Sequence, residues 1–171
     1  MRHRFHTEQW VPYSPERVFA FFADPANLPP LMPRWQHARV ERAHYVPPPA
    51  APVFDKAGLV AGQGSLISIS FRPVPLLPVR LGWDAYIAEF RWNDCFCDEQ
   101  RRGPFQYFRH CHSIRAEVRD GVTGSVVSDA VEYELPLGVL GELANRFAAR
   151  KQMQVLFSYR QKMLPVLLSR S

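Results

Sequence analysis

The sequence lacks the motifs and segments that mark several common functional classes. Gly62-Gln63-Gly64 precedes a predicted strand rather than a helix, so it is not a phosphate-binding loop, and no serine lies in a nucleophile elbow. Arg, Pro or Asp interrupts every hydrophobic segment before it reaches the length of a membrane span. The charged N-terminus has no apolar stretch behind it and does not resemble a secretory signal. We therefore expect a cytoplasmic protein without stable membrane insertion.

The sequence also has no concentrated basic region. Its 21 Lys and Arg residues against 16 Asp and Glu give a formal charge of +5, but the basic residues are spread over separate segments. No dense basic block with interleaved aromatic residues is present, and such a block is typical of nucleic-acid binding. We therefore interpret the basic residues as a solvated surface and predict no nucleic-acid partner.

Cysteine is scarce, with three residues in the chain. An odd number of cysteines cannot form a closed disulfide framework, so reduced thiols are predicted. Cys95, Cys97 and Cys111 have the opposite strand parity to His110 and His112, which argues against a shared zinc site. The two histidines alone could be two metal ligands, but a hydrogen-bonded pair is favoured because no third ligand is adjacent in sequence. No metal and no cofactor are predicted.

The sequence does contain enough apolar residues for a single folded domain over residues 1–171. Hydrophobic residues make up 47% of the chain and aromatic residues 13%, which argues against disorder. Ser14-Pro15-Glu16-Arg17 predicts the start of a short helix, and residues 46–64, rich in proline and glycine, predict a loop at a cavity rim. Alternation and turn signals predict strands over His3–Val11, Trp35–Tyr45, Ser65–Phe71, Trp83–Trp92, Cys95–Gln100, Phe105–Glu117 and Val122–Leu135.

The last two predicted strands form a hairpin whose inner face carries ionisable groups. Asp120-Gly121 favours a two-residue turn, which places His112 directly opposite Asp129. Burial of Phe108 puts His110 and His112 on the same inner face. Ionisable groups on an inner sheet face are costly unless they are paired or wetted, so they indicate a cavity with polar groups. If His112 and Asp129 form an ion pair, the pKa of His112 should rise and that of Asp129 should fall.

The preceding hairpin leaves two registers open. A five-residue connection places Asp98 opposite His110, whereas a three-residue connection places it opposite Phe108. In the first register, Asp98–His110 and Asp129–His112 would be two carboxylate–imidazole pairs on the cavity floor. His110, His112, Asp98 and Asp129 are therefore candidate acid–base catalysts. The alternative, in which each pair only satisfies its buried polar atoms, stays open.

One long helix is predicted from Gly138 to about Leu168. Its apolar stripe includes Phe147 and Phe157, and the polar residues Arg150, Gln154, Arg160 and Gln161 fall on or beside that stripe. We interpret these polar residues as lining a cavity. Two alternatives are a bend in the helix and long side chains that extend from the stripe to solvent.

The chain resembles the START-like superfamily, also called Bet v 1-like or polyketide-cyclase-like, and within it a bacterial subgroup of ligand-binding or cyclase/dehydratase-like proteins. The resemblance implies an α+β helix-grip fold, in which a curved antiparallel sheet wraps around the long C-terminal helix and two short helices follow the first strand. The motifs that carry the resemblance are Ser14-Pro15-Glu16-Arg17-Val18-Phe19, Asp24-Pro25-Ala26-Asn27-Leu28, Phe96-Cys97-Asp98-Glu99-Gln100, Gly103-Pro104-Phe105, His110-Cys111-His112, and Asp129 through Tyr133-Glu134 with Pro136-Leu137-Gly138.

The function expected from these features is binding of an apolar or aromatic small molecule, such as a lipid-like or polyketide-like compound, between sheet and helix. One alternative is a cyclase or dehydratase that uses a cavity histidine as its acid–base group. Another is an interaction or membrane-surface protein that uses the proline-rich segment Pro75–Pro78. The predicted ligand-binding residues are the walls Trp83, Phe96, Phe108 and Phe147 and the polar groups His110, His112, Asp129, Arg150 and Gln154.

Overall fold

Seven antiparallel strands form a single sheet in the order β1-β7-β6-β5-β4-β3-β2. The computed structural model describes residues 1–49, 59–75, 78–136 and 148–170. Strand order follows the chain from β2 to β7, and β1 pairs with β7 at the far edge. The strands are β1 (His3–Val11), β2 (Arg39–His44), β3 (Leu66–Phe71), β4 (Leu81–Arg91), β5 (Cys95–Arg102), β6 (Tyr107–Arg119) and β7 (Val122–Glu134).

Helices cover the inner face of this sheet. Helix α1 (Pro15–Ala23) begins where predicted, since the Ser14 side chain accepts a hydrogen bond from the backbone N–H of Arg17 at 3.4 Å. Three single-turn 3₁₀ helices follow, because prolines interrupt the first two and left-handed His37 ends the third. They are Pro25–Asn27, Pro29–Leu31 and Arg34–Gln36. Helix α2 (Arg150–Leu168) is the long C-terminal helix.

Helix α2 packs against the sheet through a stripe that recurs every three to four residues. Its buried residues are Met153, Phe157, Arg160, Leu164 and Leu168. The ring of Phe157 lies 4.9 Å from that of Phe5 on β1, and Gln161 donates a hydrogen bond to Thr7 on the same strand. The predicted α+β helix-grip arrangement, with an antiparallel sheet around a long C-terminal helix, is confirmed.

The β6–β7 hairpin has the predicted register. Asp120 and Gly121 have φ values of 50° and 77°, the left-handed conformation that a two-residue hairpin turn requires. His112 pairs directly with Asp129. On the other side of β6, Asp98 pairs with His110, so the first of the two registers left open by the sequence is confirmed.

One predicted strand begins later in the structure, and other predicted features fall outside the described residues. The strand predicted over Trp35–Tyr45 begins only at Arg39, because residues 34–36 form a 3₁₀ helix and His37 is left-handed, with φ of 46°. The described helix α2 begins at Arg150, and the predicted start at Gly138 lies outside the described residues. The same holds for the middle of the 46–64 loop and for residues 76–77. Within the described residues, no helix is both long and apolar enough to cross a membrane.

The prediction that all three cysteines are reduced is wrong. A disulfide joins Cys97 on β5 to Cys111 on β6, while Cys95 is a buried free thiol. The two bonded residues are direct cross-strand partners with Cα atoms 4.0 Å apart. Both lie on the outer face of the sheet, opposite to the histidines. The register that places Asp98 opposite His110 also places the preceding residue, Cys97, opposite the following one, Cys111.

Candidate functional site

A cavity of about 250 Å³ lies between the inner sheet face, α1, the 3₁₀ helices and α2. Its wall is largely apolar and includes aromatic residues from several different elements. The aromatic lining residues are Phe21, Phe22, Phe71, Trp83, Phe96, Phe105, Phe108 and Phe157. The polar lining residues are Asn27, Gln36, Asp98, His110, His112, Gln152 and Arg160. This combination of an apolar wall with a few polar groups is typical of a small-molecule site.

Asp129 lies at the centre of the polar part of the site. Its Oδ1 atom lies 2.9 Å from Nε2 of His110 and 2.8 Å from Nδ1 of His112. Nη2 of Arg160, which comes from α2, lies 3.2 Å from the same oxygen. One carboxylate therefore contacts two imidazoles and a guanidinium, rather than the single histidine predicted from the sequence. All four side chains are buried, so the charges of Asp129 and Arg160 compensate each other away from water.

His112 lies between a donor and an acceptor. Its Nδ1 atom is 2.9 Å from Arg160 Nη2 and 2.8 Å from Asp129 Oδ1. A protonated Nδ1 can donate to the carboxylate, and an unprotonated Nδ1 can accept from the guanidinium. The ring is stacked between two aromatic side chains, with centroid distances of 4.4 Å to Phe96 and 5.5 Å to Phe22. The imidazole is therefore held in place on both its edge and its faces.

Asp98 lies on the cavity side of the two histidines. Its Oδ1 atom is 3.7 Å from Nδ1 of His110 and 3.8 Å from Nε2 of His112. Both distances are too long for a hydrogen bond. Each histidine therefore presents one nitrogen to Asp129 and its other nitrogen to Asp98.

Burial changes the ionisation of this cluster. Burial, together with the charges of His110 and Arg160, lowers the pKa of His112 to about 3. The predicted rise in the pKa of His112 is therefore wrong, because burial and the charges of His110 and Arg160 outweigh the hydrogen bond to Asp129. Burial alone would raise the pKa of Asp129, but Arg160 and the hydrogen bonds from both histidines hold it well below its ordinary value, as predicted. Burial raises the pKa of Asp98 and lowers that of Arg160.

We expect stability to fall in acid because of His112. The unfolded chain takes up a proton on this residue below its ordinary pKa of 6.5, whereas the folded protein does so only near pH 3. The free energy of unfolding should therefore decrease as the pH falls from 6.5 towards 3. Asp129 has a lowered pKa, so its protonation adds a further loss of stability in the most acidic part of this range. Asp98 has a raised pKa, so its protonation partly offsets both losses of stability.

Urea titrations between pH 7 and pH 4, in the presence of a chelator, measure this effect. The His112→Gln variant should lose less stability over that range than the unchanged protein. The matched control is His44→Gln, because His44 is an exposed histidine on β2. Equal pH dependence in all three proteins would contradict the assignment to His112.

The structure brings most of the predicted site residues to one place. Trp83, Phe96, Phe108, His110 and His112 line the cavity, and Asp129 lies behind the two histidines. Their role in ligand binding stays a prediction. Phe147 lies outside the described residues.

Two predicted lining residues point elsewhere. Arg150 and Gln154 are exposed, so the prediction that they line the cavity is wrong. Gln154 is rotated by about 100° from Met153 around the helix axis, and Met153 is on the buried stripe. Arg150 lies at the first turn of α2, where its long side chain reaches solvent.

Arg160 was expected to line the cavity but was not among the predicted ligand-binding residues, and it forms part of the polar cluster. It lies on the buried stripe of α2, seven residues after Met153 and three after Phe157, which was the available signal. Its guanidinium lies 4.6 Å from the centre of the Phe22 ring. Its Nε atom is buried without a hydrogen-bond partner among the described residues, as is Oε1 of Gln36.

Comparison with known proteins identifies the architecture. No protein-family model and no curated protein sequence matches this chain. Solved structures do match it over nearly its full length. A crystal structure of a protein from Thermus thermophilus has a TM-score of 0.65 and 18% identity and covers 98% of both chains.

Plant proteins match as well. Norcoclaurine synthase from Thalictrum flavum, in a complex with dopamine and hydroxybenzaldehyde, has a TM-score of 0.59 and 13% identity over 96% of this chain and 87% of its own. Major latex-like protein 151 from Panax ginseng has a TM-score of 0.60 and 9% identity over 96% of both chains. These identities support a statement about fold, and the chain has the Bet v 1-like helix-grip fold.

Proposed function

We propose that this protein binds an apolar or aromatic small molecule in the cavity between the sheet and α2. The observation that carries the proposal is a largely apolar cavity lined by two residues whose buried polar atoms lack partners among the described residues. These atoms are the Nε–H donor of Arg160 and the Oε1 acceptor of Gln36. Unpaired buried polar atoms are costly. A ligand with an apolar body and hydroxyl or carbonyl groups would bury its surface against the wall, and it would pair with these atoms once the two side chains turn towards it.

The size of the cavity supports this class of ligand. Its volume of about 250 Å³ is near the lower end of the range for small-molecule sites. The T-shaped contact between Trp83 and Phe108, with centroids 4.5 Å apart, gives the wall a rigid aromatic surface. Norcoclaurine synthase has the same fold and binds the aromatic compounds dopamine and hydroxybenzaldehyde in the matched structure, which supports an aromatic ligand here.

A second candidate is a cyclase- or dehydratase-type enzyme acting on a polyketide-like compound. It is favoured by the imidazole edges of His110 and His112 that lie at the cavity wall, where a proton could be exchanged with a bound substrate. Binding requires fewer assumptions than turnover, because the apolar wall and the unpaired atoms account for it without a chemical step. Conversion of a bound compound, followed by mass spectrometry, separates the two candidates.

The proposal is tested with the fluorescent aromatic probe anilinonaphthalene sulfonate on folded, chelator-treated protein. We expect saturable binding with one probe molecule per chain. Ala85→Phe, which fills the cavity from β4, should weaken binding by at least about tenfold, or about 1.4 kcal/mol. Native mass spectrometry of the freshly purified protein should also show a retained ligand that the probe displaces.

The matched control is Ala130→Phe, because Ala130 is exposed on the outer face of β7. This variant should bind the probe like the unchanged protein. Circular dichroism confirms that each variant is folded before the titration. Absence of probe binding, or equal binding by the Ala85 and Ala130 variants, would refute the proposal.

A further inference from the structure

We propose that Asp98, His110 and His112 form a binding site for a divalent first-row transition-metal ion at the wall of the cavity. No metal is predicted from the sequence, because no third ligand is adjacent to the two histidines. The sheet register supplies that ligand, since Asp98 on β5 pairs with His110 on β6. Two imidazoles and one carboxylate are a ligand set that zinc and ferrous iron both accept.

The distances between the three ligand atoms fit a metal better than they fit hydrogen bonds. One ligand atom from each residue lies within 4.8 Å of the other two. The Asp98 oxygen is 3.7 Å and 3.8 Å from the two imidazole nitrogens. Ligands placed about 2.1 Å from a tetrahedral ion are separated by roughly 3.4 Å. A small rotation of the Asp98 carboxylate would bring its oxygen to that spacing from both imidazole nitrogens.

The other nitrogens of both histidines already have the partners that metal-binding histidines usually have. A ligating histidine commonly donates its second ring N–H to a carboxylate, which orients the ring and fixes its tautomer. Asp129 provides this carboxylate for both rings, at 2.9 Å from His110 Nε2 and 2.8 Å from His112 Nδ1. The nitrogens that remain, Nδ1 of His110 and Nε2 of His112, are the two nearest to Asp98.

The charge and the position of the cluster favour a cation. With both carboxyl groups ionised, Asp98 and Asp129 carry two negative charges against the single positive charge of Arg160, and Arg160 contacts Asp129 on the side of the histidines away from Asp98. The three proposed ligands all line the cavity. Three protein ligands leave at least one coordination position for water or for an oxygen atom of a bound compound.

The experiment uses the full chain without an affinity tag, treated with a chelator and then titrated with Zn²⁺ by calorimetry. We expect one ion per chain, and a visible absorption spectrum of the Co²⁺ form typical of four or five nitrogen and oxygen ligands. Asp98→Asn should reduce Zn²⁺ affinity by at least the roughly tenfold to 100-fold loss seen when an outer-shell partner is removed. The matched control, Glu99→Gln, changes the next residue of β5, which forms an ion pair with Arg109 instead, and should bind Zn²⁺ normally.

X-ray absorption of the Zn²⁺ form of the unchanged protein gives a second readout that does not depend on the folding of any variant. It should show two imidazole ligands and additional oxygen. The inference is overturned by absence of Zn²⁺ and Co²⁺ binding, by equal affinity in the Asp98 and Glu99 variants, or by a first shell without imidazole. The titration contains no organic ligand and the probe experiment contains no metal, so either proposal can fail without the other.

Discussion

Replacing Asp129 with alanine is expected to lower the free energy of unfolding by about 3–5 kcal/mol. The substitution removes the oxygen that lies within 3.2 Å of Arg160 and within 2.9 Å of both histidines. Arg160 then remains buried as an uncompensated positive charge, and this penalty dominates the loss. Urea denaturation followed by circular dichroism at pH 7 measures the change.

The control for this prediction is Glu132→Ala on the same strand. Glu132 forms an exposed ion pair with Arg4 at 2.8 Å, so its loss should cost at most about 1 kcal/mol. The double variant Asp129→Ala with Arg160→Met should recover part of the lost stability, because it removes the unpaired charge as well. An Asp129→Ala variant as stable as the control would show that the cluster is not held together by this carboxylate.

Replacing Leu164 with aspartate is expected to abolish cooperative folding. Leu164 is 1% exposed on the buried stripe of α2. A carboxylate in this position would be buried without a partner, which costs several kcal/mol, and the lost leucine packing adds a further 2–5 kcal/mol or so. The sum is comparable to the whole stability of a small domain, which is about 5–15 kcal/mol. Thermal unfolding of the purified protein would show this loss directly.

The same substitution two residues later provides the control. Val166 is 40% exposed on the same helix, so Val166→Asp should leave the melting temperature nearly unchanged. A Leu164→Asp variant with the melting temperature of the Val166→Asp variant would contradict the packing of α2 against the sheet.

The parts of the site that could be predicted from the sequence depend on local turns and strand parity. A two-residue turn at Asp120-Gly121 aligns the two strands of a hairpin, so the pairing of His112 with Asp129 followed from counting. The same counting, with a five-residue connection, aligned Asp98 with His110. It also aligned Cys97 with Cys111, so the disulfide could have been predicted from the same register.

The remaining features depend on how separate elements pack, which strand parity does not determine. Arg160 reaches Asp129 only because of the rotation of α2 against the sheet. The lowered pKa of His112 depends first on burial, to which Phe22 of α1 contributes by stacking on the ring, and then on the charges of His110 and Arg160. Arg150 and Gln154 are exposed because the face of α2 that is buried against the sheet is narrower than the face predicted from the sequence pattern.

The Cys97–Cys111 disulfide makes the geometry of the cavity dependent on the oxidation state of the surroundings. Strands β5 and β6 are joined by only five aligned residue pairs, whereas β6 and β7 share thirteen. The disulfide joins the middle one of the five β5–β6 residue pairs. Along each strand, the bonded cysteine is next to the inward residues Asp98, His110 and His112. It closes a segment with a sequence separation of 14, and cross-linking a loop of this length stabilises a protein by about 3 kcal/mol.

A thiol reductant that cleaves this disulfide on the outer face of the sheet would therefore affect Asp98, His110 and His112 on the inner face without contacting them. Without the disulfide, the separation between Asp98 and the two imidazoles depends on the backbone hydrogen bonds between β5 and β6 and on the side-chain contacts of the histidines. The occupancy of a site that depends on that separation would then vary with the local thiol–disulfide balance as well as with ligand concentration.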